Sequence, residues 1–279
     1  MNEGDRYSWA GARRRLMRWF GRWLAQDVQP RPAPRTDFDR LCEHLRPADV
    51  LLVEGRSRVS GVIQSVTLSS WSHAAIYLGR AGDIEDDTAR AAIRRAGWVE
   101  ATQLLLEAEM GEGVHLTPVA RYRGEHLRIC RPRDLTATDR AAVLRYVCAR
   151  LDTPYDTRQI FDLLRFFYPY GLLPRHWRST LFEAGHGDMV RAICSTLLAN
   201  AFASVRYPIL PTIHRGPDGE MIFHQRNGRL ITPRDFDYSP YFEIVKYPFF
   251  GDDVERYREL TWDDDAPSAS RPLRRTGLK

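Results

Sequence analysis

Cysteine is scarce in this 279-residue chain: four residues, Cys42, Cys130, Cys148 and Cys194, with no C-x-x-C pair and no zinc-like alternation with histidine. That spacing excludes a disulfide-stapled scaffold and a zinc finger, and it predicts reduced thiols in a cytosolic compartment. Long apolar runs are missing as well, so no stretch reads as a membrane span. No secretory signal is expected, because Arg18 and Arg22 interrupt the only early apolar region. The eight histidines include no H-E-x-x-H pair, which removes the usual zinc-hydrolase signature; neither a metal nor a cofactor is expected. Nucleic-acid motifs are absent too, and the net charge of +5 is modest, so no nucleic-acid partner is expected.

What is present is an ordinary globular composition, 43% apolar and 28% charged, in a chain long enough to bury a substantial core. Its excess positive charge collects at the two ends, in Arg13, Arg14, Arg15, Arg18 and Arg22 and in Arg271, Arg274, Arg275 and Lys279. Over residues 8–26, Leu16, Trp19, Phe20, Trp23 and Leu24 recur at helical spacing opposite the arginines. Such a basic amphipathic helix suits peripheral contact with a membrane, and equally packing on its own domain or on another subunit. The proline-rich stretch from Gln29 to Arg35 reads as a stiff linker. Three segments follow: residues 1–35 as helix and linker, 36–261 as the globular domain, and 262–279 as a disordered tail rich in Asp, Pro, Ser and Arg.

Within the domain, a helix is expected over Asp37 to Leu45 and a strand over Val50 to Val53. The run Trp71 to Gly79 reads as a second strand, with Ala74, Ile76 and Leu78 on one face and His73, Ala75 and Tyr77 on the other. A charged loop with a short helix fills residues 80–96, and Gly97 to Thr102 reads as the next strand, turning Glu100 to the face opposite Val99 and Ala101. Paired with the strand of His73, that carboxylate could fix the imidazole tautomer. Strands at Gly113 to Pro118 and His126 to Arg131 continue the series, and Thr136 caps a helix bearing Ala142, Val143, Tyr146, Val147 and Leu151. Closing strands are expected at Arg229 to Pro233 and Tyr241 to Val245.

Cys194 opens the apolar run Ile193 to Phe202, where a helix start would expose backbone N–H groups and lower the thiol pKa. Cys194, Leu197, Leu198 and Ala201 also fall at core spacing, so the run by itself fits a buried structural thiol equally well.

Taken in order, Ser72-His73-Ala74-Ala75-Ile76-Tyr77, Val99-Glu100-Ala101, Pro154-Tyr155-Asp156 and Ile193-Cys194-Ser195 resemble the YiiX/YebB-like family, circularly permuted members of the NlpC-type papain-like cysteine hydrolases. The resemblance implies an α+β fold in which an antiparallel sheet or barrel packs against helices that include the cysteine helix. It implies Cys194 as nucleophile, His73 as general base, Glu100 as the orienting carboxylate, and Tyr155 and Ser195 as substrate or oxyanion contacts. It further implies hydrolysis of an amide, in a peptide or aminoacyl conjugate that can be cell-wall derived, by a cytoplasmic protein, either free or peripheral to the inner membrane. Acyl-lipid hydrolysis or transfer at a membrane surface is the second reading, and a non-catalytic binding module the third; oligomeric state is left open.

Overall fold

In the computed structural model the described residues are 26–27, 36–109, 112–153, 193–215, 218 and 220–245, excepting the side chains of Val66, Ile193 and Cys194. They all fall in one compact unit that ends at Tyr247. The expected amphipathic helix, apart from Gln26, as well as the linker and the tail, lies outside them.

The chain enters through helix α1 (Phe38–His44), whose first turn is capped by the Asp37 carboxylate accepting from the Arg40 N–H. Strand β1 (Val50–Glu54) follows, then α2 (Arg58–Thr67), β2 (His73–Arg80) and α3 (Asp87–Ala96). Next come β3 (Gln103–Glu109), β4 (Gly113–Pro118), β5 (His126–Pro132) and α4 (Ala137–Cys148). After a stretch outside the described residues, α5 (Ile193–Ser204), the pair β6 (Thr212–Arg215) and β7 (Met221–His224), α6 (Pro233–Tyr238) and β8 (Phe242–Val245) complete the order.

Six strands form one sheet in the order β4-β3-β2-β1-β5-β8, with every pairing antiparallel. Both of its faces are covered. On one, Leu52, Ala74, Ile76, Leu104 and Leu106 pack with Val143 and Val147 of α4, Leu198 and Phe202 of α5, and Phe236 of α6. On the other, Leu51, Val53, Ala75, Tyr77, Leu105 and Ile129 pack with Phe38 and Leu41 of α1. A strand buried on both faces loses the simple apolar and polar alternation of a half-exposed one. The expected α+β class, with an antiparallel sheet against the cysteine helix, is what the structure shows.

Two expected strands are absent. Gly97 is the left-handed cap of α3, with φ of 69°, and its N–H bonds back to the carbonyls of Arg94 and Ile93. Only glycine takes that conformation without strain, so the residue read as a strand start is a helix stop. The strand begins six residues later, at Gln103. Arg229 to Pro233 is likewise a 3₁₀ turn (Gly228–Leu230) leading into α6. There Thr232 and Asp235 form a reciprocal capping box, and Pro233 sits at the first helical position, where its missing N–H costs nothing.

Candidate active site

His73 is the first residue of β2, on the α1 side of the sheet with Val53, its cross-strand partner, and Ala75. The register of β2 on β3 and β3 on β4 brings Glu107 and His115 to that same face, since Glu107 is directly opposite His115. The His73 ring meets Glu107 diagonally: Nε2 lies 2.6 Å from Oε2. Glu107 itself is 0% exposed.

A buried carboxylate costs several kcal/mol unless partners compensate it, and here the partners surround it. The Tyr122 hydroxyl donates to Oε2, and its ring stacks on His73 with centroids 6.2 Å apart. On the Oε1 side stand His115 Nε2 at 3.5 Å and Arg121 Nη1 at 3.7 Å. Burial alone would push the Glu107 pKa up, but the imidazoles of His115 and His73, with Thr117, hold it well below the usual carboxylate range. The same anion and its own burial drive the Tyr122 hydroxyl well above the usual phenol value, so it remains a donor.

An anionic carboxylate can only accept, so Nε2 of His73 carries a proton and Nδ1 is the basic nitrogen of the neutral ring. That is the tautomer a nucleophile on the Nδ1 side requires.

Glu100 is not in this cluster. It lies in the turn between α3 and β3, exposed to solvent, and its backbone carbonyl accepts from the Gly82 N–H. The carboxylate that meets His73 is seven residues further on. The signal for it was present in the alternation of Leu105, Glu107 and Glu109 against Leu104, Leu106 and Ala108, but three consecutive leucines hide that period.

Cys194 falls on the first turn of α5, as expected, while its side chain lies outside the described residues. Tyr155 lies outside them altogether. Ser195 is fully buried, and its hydroxyl donates to the Ile231 carbonyl at 2.6 Å. That bond ties the start of α5 to the segment before α6. The other thiols are poor nucleophiles, since burial raises the pKa of Cys42 to about 11, that of Cys148 to about 12 and that of Cys130 further still.

A two-faced antiparallel sheet with a histidine and carboxylate on adjacent strands and a cysteine on the first turn of a packed helix defines the papain-like class, here with the histidine strand ahead of the helix. Residues 44–165, a little under half of the chain, match the family described as permuted papain-like amidase enzyme, YaeF/YiiX, C92 family; the match supports a YiiX-like family and, the family being one of amidases, a hydrolase. The matched segment carries His73 and Glu107 and ends before Cys194. A solved structure entitled metalloprotein yiiX from Escherichia coli O157:H7 is similar over 73% of this chain and 97% of that one, at 14% identity and a TM-score of 0.43. No curated protein matches the chain.

Proposed function

We propose that the protein is a cysteine amidase in which Cys194 is the nucleophile, His73 the general base and acid, and Glu107 the residue that orients the imidazole. The observation that carries this reading is the 2.6 Å contact between His73 Nε2 and the fully buried Glu107. A structural histidine needs no buried anion behind it; a base that must become imidazolium during turnover does.

In the proposed cycle Nδ1 takes the Cys194 proton, and the thiolate attacks the amide carbonyl carbon. The oxyanion is held by backbone N–H groups at the start of α5, with Tyr155 as a side-chain donor. The C–N bond breaks as Nδ1 returns the proton to the leaving amine. Water, deprotonated by Nδ1, then cleaves the thioester and releases the acid. Because α5 packs on the sheet face opposite His73, the thiol is to meet the ring around the end of β2, where His73 is the terminal residue.

The test is mass spectrometry of the full chain with N-acyl amino acid amides and short peptides, run beside iodoacetamide labelling. Expected are an acyl adduct on Cys194 and amine release, both lost in Cys194→Ala. A Cys194 that labels near neutral pH no faster than a free thiol, with no adduct from any amide, would reject the amidase in favour of a binding module. An adduct only from acyl lipids would replace the substrate class.

A further inference from the structure

The far side of Glu107 has more polar chemistry than the proposed hydrolysis uses. His115 Nε2 points into a group of carboxylates: it lies 3.5 Å from Glu107 Oε1, 3.8 Å from Glu109 Oε2 and 3.6 Å from Glu112 Oε2. One ligand atom each from Glu107, Glu109 and His115 falls within 4.8 Å of the others. These separations are long for hydrogen bonds. They are close to the edges of a tetrahedron around an ion, where bonds of about 2.0–2.1 Å put neighbouring ligand atoms roughly 3.3–3.5 Å apart.

A second observation is independent of the clustering. Glu107 Oε1, His115 Nε2 and Thr117 Oγ1 are buried without a hydrogen-bond partner among the described residues, and Glu107 is wholly enclosed. Buried polar atoms are rarely left so, and two of these, Glu107 Oε1 and His115 Nε2, belong to the cluster and lie 3.5 Å apart, which calls for an occupant.

We infer that Glu107, Glu109 and His115 form a divalent transition-metal site, of the kind zinc takes, with Glu112 or water in the fourth position. One imidazole nitrogen with carboxylate oxygens selects such an ion over calcium or magnesium, which prefer oxygen alone. The site shares Glu107 with His73, one oxygen each, so a bound ion would fix the carboxylate that holds the imidazole. Arg121 is its internal competitor: Nη2 lies 3.0 and 2.9 Å from the two Glu109 oxygens. Being half-exposed, that guanidinium can release Glu109 to an incoming ion. The inference does not depend on the role of Cys194.

The experiment uses the full chain carrying Cys194→Ala, to remove a thiolate that could itself hold zinc, together with His214→Ala and His224→Ala, to remove the neighbouring imidazoles of the β6–β7 pair. Titration calorimetry with zinc is expected to give one site per chain, and cobalt the visible bands of a low-coordinate ion. Adding His115→Ala should weaken zinc at least 100-fold and Glu109→Gln at least tenfold, whereas Arg121→Gln should tighten it. Circular dichroism checks the fold of each; should His115→Ala fail to fold, the exposed-side variants Glu109→Gln and Arg121→Gln decide. No zinc uptake by the parent, zinc bound equally well without His115, or Arg121→Gln and Glu109→Gln leaving affinity unchanged would each overturn the site. Failure here leaves amide cleavage standing, because that is read separately as the acyl adduct on Cys194.

Discussion

Glu107 has no solvent around it to replace a lost partner, so small changes to it are expected to have large effects. Glu107→Gln keeps the shape and removes the charge; the imidazolium then loses its counter-ion and Nε2–H its acceptor. Amide turnover should fall by roughly 10²–10⁴-fold, as when the orienting carboxylate of a triad is neutralised. Glu100→Gln, at an exposed turn, should leave turnover within about twofold, and equal losses from the two variants would show that Glu107 does not have the role given to it. The thiols divide in the same way. With Cys42 and Cys148 held at about 11 and 12 and Cys130 higher, brief alkylation near pH 7 should modify Cys194 alone, read by peptide mapping. Residue identity alone was not enough to single out His73 and Cys194, since each by itself fits a structural role; the order and combination of the short motifs that carry them did so. Even that order did not reach Glu107, whose contact with His73 comes from the pairing of β2 with β3.

Among the elements, α5 is where packing and proposed chemistry meet. Its Ser195 hydroxyl satisfies a buried carbonyl, and Ser195→Ala would strand that acceptor at a cost of about 1–3 kcal/mol. Urea unfolding should show the loss, while the alkylation rate of Cys194 should hold within about twofold if Ser195 is only a tether. Phe202, fully buried and edge-on to Phe242 with centroids 5.2 Å apart, should cost about 3–5 kcal/mol as Phe202→Ala, also read by urea unfolding. The helix start at Thr136 was legible from its cap, the helix after Asp37 from its pattern, and β1, β4 and β5 from their composition. Two misreadings shared one cause: Gly97 and Pro233 have opposite meanings at the two ends of helices, and each was taken as strand punctuation. β3 was hidden because a strand with helices on both faces carries leucine at successive positions.

For the molecule as a whole, the order of parts was readable while their pairing was not. Sequence order brought the histidine strand ahead of the cysteine helix and gave the permuted α+β architecture. It contained nothing to place β8 against β5, because that pairing joins segments far apart in the chain through Phe242 and Ile244 opposite Pro132 and Cys130. The exposed β6–β7 pair, with Ile213, Met221 and Phe223 open to solvent, has no counterpart in the sequence expectations either. No helix among the described residues is long and apolar enough to cross a membrane.

The sheet order has a consequence in time. Strands β1 to β5 and α1 precede α5 in the chain and pair mostly with near neighbours, which favours early pairing of the strands, although one face of the sheet waits for α4, α5 and α6 to cover it. His73, Glu107 and Tyr122 are all synthesised before α5. On the proposed chemistry a nascent chain carries its base and counter-ion before its nucleophile and stays inert until its last third is synthesised.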